Sequence, residues 1–128
     1  MNKDLKDKAK AFVTALDKCQ STKEVFDLLS TSMDKDTLRD RVGHVNDMVE
    51  INNLNDKKAR LNIQAGYRVS HGDLAIMAAR KYCDIVGDSK NGIRRFKLET
   101  NKYLTRKENE KNVEKTQSKA LDVSDMQM

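Results

Sequence analysis

The sequence contains no proline and no tryptophan, and only six of its 128 residues are phenylalanine or tyrosine. Because proline is absent, no position lacks a backbone donor or has a fixed φ, and a chain rich in Lys, Asp, Leu and Ala favours long helices. With so few aromatic residues, the core must be built mainly from aliphatic side chains. We therefore predict a mostly α protein.

Long apolar runs are also missing. No stretch approaches the roughly 20 consecutive apolar residues that span a bilayer, and the start MNKDLKDKAK lacks the apolar region of a signal peptide. These absences predict a cytoplasmic protein without a membrane partner. The two cysteines, Cys19 and Cys83, are too far apart for a zinc knuckle or a redox pair, so we expect two reduced thiols in the core.

Signatures of catalysis and of metal binding are missing as well. The sequence has no glycine-rich phosphate loop, no GxSxG motif and no HExxH motif. His44 and His71 could complete a zinc set with the two cysteines, but structural zinc sites draw their ligands in close pairs, and these four residues are scattered singly. We expect a protein that is not an enzyme and that uses no metal or cofactor.

Apolar residues at helical spacing are the main positive signal in the first half of the chain. The pattern predicts one helix over about residues 2–19 and a second after the capping box Ser21-Thr22-Lys23-Glu24. A third helix should run from Leu38 to Ile51, and the polar run of residues 52–56 would end it.

Two further helices are predicted in the second half. Ser70 and Asp73 form a capped start, after which apolar residues occupy most of the helix surface, so this helix should be central. Gly87 supplies its stop. The last amphipathic helix carries Ile93, Phe96, Tyr103 and Leu104. Together the elements predict a single compact bundle of about five helices.

Residues 61–69 are ambiguous. Their apolar residues alternate as in a strand, while the preceding KKAR favours a helix. We favour the helix. The alternative is an α+β protein in which residues 61–69 pair with residues 93–100 in a small two-stranded ribbon, entered through the turn dipeptide Asn91-Gly92.

Charge divides the chain into two parts. Residues 90–119 contain ten Lys or Arg and four Glu, a net charge of +6, whereas the remaining residues sum to −1. Residues 105–128 have few apolar side chains, so we expect a helical domain over residues 1–104 and a charged tail that is a solvated helix or disordered. The local positive field predicts nucleic acid or an acidic protein surface as the partner.

Residues 83–96 resemble the helix-turn-helix family of DNA-binding domains. The family pattern of a small residue, a glycine and two apolar residues is matched by Cys83, Gly87, Ile93 and Phe96. With Ser89 as the cap of the second helix, the resemblance implies that that helix enters the major groove and presents Lys90, Asn91, Arg94 and Arg95. Asp88 and Gly92 depart from the family pattern, which has an apolar residue in place of Asp88.

The basic segment supplies the candidate binding site. Phe96 and Tyr103 lie seven residues apart on one helical face, which is typical of core residues rather than of a stacking platform for bases. The candidate site residues are the polar and basic ones around them: Lys90, Asn91, Arg94, Arg95, Lys97, Lys102, Arg106 and Lys107.

Two functions follow from this site. The first is a non-enzymatic helical regulator of transcription or a related nucleic-acid process, which contacts its partner through residues 87–107. The alternative is a protein-binding adaptor that docks on an acidic face of a larger complex, such as RNA polymerase, without touching DNA. A short chain rich in Lys and Asp and free of Pro and Trp also resembles small accessory proteins of large bacteriophages, which implies a transcription-modifying role.

Overall fold

The computed structural model describes the backbone of residues 2–127 and the side chains of residues 7–109. This part of the chain forms six helices and no strand. The helices are α1 (Asn2–Lys18), α2 (Thr22–Ser32), α3 (Lys35–Gly43), α4 (Val49–Gln64), α5 (His71–Val86) and α6 (Gly92–Gln127). The mostly α prediction is confirmed, and within residues 2–127 no helix combines the length and the apolarity that a membrane span requires.

The ribbon alternative is wrong for the described residues. Residues 61–64 are the last turn of α4, and residues 93–100 lie inside α6. Gly66, at φ +79°, then turns the chain towards α5. Val69, in the loop before α5, is buried. The apparent alternation arose because a helix end and a turn follow one another. The predicted tail begins within α6, and its side chains from residue 110 onward lie outside the described residues.

The predicted third helix is two helices, which is why the count rises from five to six. α3 ends at Gly43 and α4 begins at Val49. The Asn52 amide donates to the carbonyls of Asn46 and Met48, and Asn52 itself is fully buried. These side-chain bonds hold a loop where apolar periodicity predicted a continuous helix, because Asn competes for backbone partners.

The central position of α5 is confirmed, since it packs against all five other helices. The Ser70 hydroxyl accepts from the Asp73 amide at 3.2 Å, and the Asp73 carboxylate accepts from the Ser70 amide at 3.0 Å, which completes a capping box. Gly87 ends α5 in the left-handed region at φ +69°. Both predicted boundaries of this helix are therefore confirmed.

Four aromatic rings fill the space between α2, α5 and α6. Phe26 contacts Tyr82, Phe96 and Tyr103 at ring-centroid distances of 5.8, 5.9 and 5.5 Å, and Tyr82 lies 5.5 Å from Phe96. Rings at such separations add attraction beyond the burial of their area. The few aromatic residues of the chain are thus concentrated where three helices meet.

The start of α6 lies very close to the end of α5. A Cβ on residue 92 would lie 2.6 Å from the Cys83 Sγ and 3.3 Å from the Cys83 Cβ, distances shorter than van der Waals contact. Cys83 and Cys19 are both free thiols in the core, as predicted. Gly92, a departure from the helix-turn-helix pattern, is therefore the residue that allows α6 to approach α5.

We predict that Gly92→Ala destabilises the protein by about 1–3 kcal/mol, although alanine is the better helix former, because the added methyl overpacks the contact with Cys83. The matched control is Gly43→Ala, whose Cβ would meet nothing within 4 Å and which should be neutral or slightly stabilising. Urea unfolding followed by circular dichroism measures both. Equal stability of wild type and Gly92→Ala would contradict the prediction.

Candidate binding surface

The turn between α5 and α6 is capped by Asp88. Its Oδ1 accepts from the Asn91 amide at 3.0 Å, and its other oxygen lies 3.8 Å from an Arg95 nitrogen. The prediction that Ser89 caps the last helix is therefore wrong. A helix capped by Ser89 would begin at residue 90, whereas α6 begins at Gly92. It is the Asp88 carboxylate that accepts from the Asn91 amide. Lys90 and Asn91 lie in this exposed turn.

Two of the eight predicted site residues make close contacts, one with another part of the fold and one within α6. The Lys97 ammonium lies 2.9 Å from Asp47 in the loop between α3 and α4, and only 26% of its side chain is exposed. This hydrogen bond lowers the pKa of the Asp47 carboxyl below its ordinary value. The Lys107 ammonium lies 5.5 Å from the centre of the Tyr103 ring, a cation–π contact. Lys97 therefore helps to hold α6 against the loop between α3 and α4, whereas the Lys107 contact lies within α6.

Four other predicted cations point outward from α6. Arg94 is 77% exposed and lies 3.9 Å from Asp47, while Lys102 lies 3.8 Å from Glu99. Arg95 is paired with Asp88 as described, and Arg106 is exposed. Exposed pairs of this kind contribute at most about 1 kcal/mol and exchange readily with solvent or with another anion. These cations are available to a partner.

An exposed leucine lies in the middle of these cations. Leu98 is 55% exposed, one helical turn from Arg94 and Arg95 on one side and from Lys102 on the other. We call this surface the α6 ridge. It comprises Lys90, Asn91, Arg94, Arg95, Leu98, Lys102 and Arg106. The ridge joins six predicted residues to one that sequence reasoning missed.

The aromatic residues of the basic segment are not on the ridge. Phe96 and Tyr103 are buried in the aromatic cluster, which confirms the core interpretation of their spacing. The Tyr103 hydroxyl donates to the Asp27 carboxylate on α2. Hydrogen bonds from Lys23 and then from Tyr103 lower the pKa of Asp27, whereas burial and the same bond raise the pKa of Tyr103.

A second surface was missed by sequence reasoning altogether. Along α4 and its C-cap residue Ala65, exposed positions are spaced three and four residues apart, and we call them the α4 stripe: Ile51, Leu54, Lys58, Leu61 and Ala65. The predicted third helix ended at Ile51, whose side chain is exposed. The signal was the seven-residue spacing of Leu54 and Leu61, which was hidden when residues 52–56 were assigned to a helix end.

We predict that Tyr103→Phe lowers stability by about 0.5–1 kcal/mol at pH 7, because a half-exposed carboxylate loses one donor. This hydrogen bond lowers the pKa of Asp27 in the folded protein. Its contribution to the free energy of unfolding is therefore complete above the ordinary pKa of 3.8 and is lost as pH falls below 3.8 through the lower pKa of the folded state. Urea unfolding from pH 7 to pH 3 should show the gap to wild type narrowing.

The matched control for this change is Tyr67→Phe, since Tyr67 is two-thirds exposed and its hydroxyl has no hydrogen bond to the described residues, its backbone amide alone donating to the Asn62 carbonyl. It should match wild type at every pH. A Tyr103→Phe deficit that does not depend on pH would show that the lost hydroxyl acts through packing rather than through Asp27.

Comparison of the chain with protein-family models, with curated proteins and with solved structures gives no match. Among residues 7–109, no group of three or more His, Cys, Asp or Glu side chains could hold a metal ion.

Proposed function

We propose that the protein is a non-enzymatic binding module that docks through the α6 ridge on an acidic face of a larger protein assembly, such as a polymerase. The observation that carries this proposal is the exposed Leu98 at the centre of a ring of cations. Protein interfaces combine an apolar centre with Arg-rich surroundings. A phosphate backbone has no apolar group for Leu98 to contact.

The carboxylates beside the ridge also favour a protein partner. Asp47, Asp88 and Glu99 each lie within 4 Å of a cation of the ridge. They would repel the phosphates of a duplex, which carries one charge for about every 1.7 Å of its axis. On an acidic protein face the charges are fewer and farther apart. There Arg94 and Arg95 can leave Asp47 and Asp88 and pair with carboxylates of the partner, while the carboxylates beside the ridge stay hydrated.

Two carboxyls with shifted pKa values, Glu108 and Asp56, are both bound by cations, which supports a non-enzymatic role. A cleft of about 340 Å³ between α2, α3 and α6 contains Glu108. Hydrogen bonds from Lys35 and Arg39 lower the pKa of this carboxyl. Burial raises the pKa of Asp56 on α4, but Arg60 donates to both of its oxygens. Neither carboxyl has the free geometry that general acid or base catalysis needs.

A regulator that contacts DNA is the second candidate. It is favoured by the exposure of Lys90, Asn91, Arg94 and Arg95 around the first turn of α6. That is where a recognition helix presents its base-reading residues, and Arg and Asn are the side chains that read guanine and adenine. The salt dependence of duplex binding separates this candidate from the first.

We predict that Arg94→Ala combined with Arg95→Ala leaves the fold intact and abolishes partner binding, and that Leu98→Ser does the same. All three side chains are more than half exposed, so thermal unfolding should be nearly unchanged. Binding is measured by capture of tagged protein from nuclease-treated extract of its own cells, together with anisotropy titration of a fluorescent DNA duplex. The matched control is Lys8→Ala combined with Lys10→Ala on the exposed side of α1.

The two measurements separate the candidates. An acidic protein partner gives capture that survives nuclease and is lost in both ridge variants, with no duplex binding at physiological salt. DNA as the partner gives duplex binding that falls steeply with salt, and the double arginine variant flattens that slope by up to about two phosphate contacts. If both ridge variants keep every partner, the ridge is only solvated surface and the proposal fails.

A further inference from the structure

α4 places three polar residues inward beside Ala59 and Ile63, and turns Ile51, Leu54 and Leu61 outward. Asn52 is fully buried, and Asp56 and Arg60 are partly buried at the interface with α1 and α5. On the opposite side, Leu54 is 68% exposed and Leu61 is 57% exposed. A surface helix normally shows the reverse arrangement, so an exposed apolar face of this kind marks an interaction surface.

We propose that the α4 stripe binds an acidic amphipathic helix of another protein. Its outward positions repeat every 3.5 residues on average, from Ile51 to Ala65, which is the spacing of the seam between two packed helices. The stripe is about 21 Å long at 1.5 Å per residue. Exposed Met48 and Tyr67 extend the apolar surface at its two ends. The stripe alone matches about two heptads of a helix, and with these end residues the occupant is a helix of up to roughly three heptads.

Charge gives the occupant its acidic character. Lys58 lies at the middle of the stripe with Lys57 beside it, and neither forms an ion pair with any described residue. An ammonium group enclosed by leucines at a helix seam needs a carboxylate to offset its desolvation. A partner with Glu or Asp opposite Lys58 and leucine-like residues on either side matches both features.

The same lysine argues against a second copy of this chain. The stripe is centred on Lys58, so a two-fold axis through its middle brings Lys58 of one copy against Lys58 of the other in either a parallel or an antiparallel pair. Like charges opposed in a seam destabilise the pair. Self-association through this face is therefore disfavoured.

A membrane surface is disfavoured for a related reason. Helices that lie in a lipid interface place their lysines at the edges of the apolar face and on the polar face. Here a lysine interrupts the centre of the apolar face, where it would face the acyl chains. A peptide carboxylate can reach that position, whereas a lipid headgroup lies above it.

The stripe is held rigidly before any partner arrives. Arg60 donates to Asp56 on its own helix and to Asp17 on α1, at 3.2 Å in each case. At the other end, the buried Asn52 amide fixes the loop that leads into α4. Buried Ala59 and Ile63 complete the inner side. A preorganised face loses little conformational entropy on binding.

The test uses a synthetic probe and the full chain. The probe is a fluorescent helical peptide of roughly three heptads, with Leu at its seam positions and Glu at the central one; a matched peptide has Lys in place of that Glu. Fluorescence anisotropy should show saturable binding of the acidic peptide and at least tenfold weaker binding of the lysine peptide, a margin of about 1.4 kcal/mol.

Variants locate the binding. Leu54→Ser combined with Leu61→Ser should weaken binding of the acidic peptide by at least about tenfold, while Leu98→Ser on the α6 ridge should bind as wild type does. Lys58→Glu should reverse the preference, so that the lysine peptide binds more tightly than the acidic one. Because all of these side chains are exposed, thermal unfolding should be unchanged.

Several results would overturn the proposal. One is no saturable binding of the acidic peptide up to about 100 µM; another is equal binding of the two peptides. A dimer in sedimentation velocity that the paired leucine variant dissociates would identify a second copy as the occupant. Binding to phosphatidylglycerol vesicles that depends on Leu54 and Leu61 would identify a lipid surface. None of these results bears on the α6 ridge, which lies on another helix.

Discussion

The contact between Cys83 of α5 and Gly92 of α6 sets the distance between the two helices on which the rest of the structure depends. There is no room for a methyl group at this point. α5 packs against every other helix, so the position of α6 relative to α5 also fixes its position relative to α2 and α3. Only at this separation can Phe96 and Tyr103 reach Phe26 and close the aromatic cluster.

The same contact decides which side chains of α6 face a partner. Once Ile93, Phe96 and Tyr103 point inward, the period of 3.6 residues directs Arg94, Leu98 and Lys102 outward. The ridge is thus a consequence of how the core packs. Lys97 flanks the inward side, where Asp47 is within reach, and Lys107 lies over the Tyr103 ring of its own helix. A cluster that is uniform in sequence is therefore divided into cations with close contacts and available ones.

The sequence predicted the elements whose signals are local. Helical periodicity, the N-cap at Ser21, the capping box at Ser70 and the glycine stop at Gly87 depend on residues within four positions of each other, and the structure confirms them. The predicted box at Ser21 is confirmed only in part, because the Glu24 carboxylate accepts from the Gln20 amide and not from the Ser21 amide. Relations between distant residues were not predictable. Asp47 pairs with Lys97 across 50 residues. The loop between α3 and α4 depends on a buried Asn52, which looked like the end of a helix because Asn is common there.

The orientation of α4 could not be predicted for a related reason. Its sequence shows an apolar face, and periodicity alone indicates that such a face is covered. Which neighbour covers it is a tertiary property. Here Arg60 bridges Asp56 and Asp17, so the polar side of α4 is the side that joins the bundle.

This arrangement has an energetic consequence for binding. Leu54 and Leu61 are each somewhat more than half exposed, so each forgoes only part of the about 1.5–3 kcal/mol that full burial of a leucine contributes, and a partner helix would recover that part. α4 and α6 both pack on α5, so the two surfaces are carried on one rigid axis. A partner on the stripe need not disturb the ridge. If both proposed surfaces bind partners, the molecule would hold two proteins at a fixed separation.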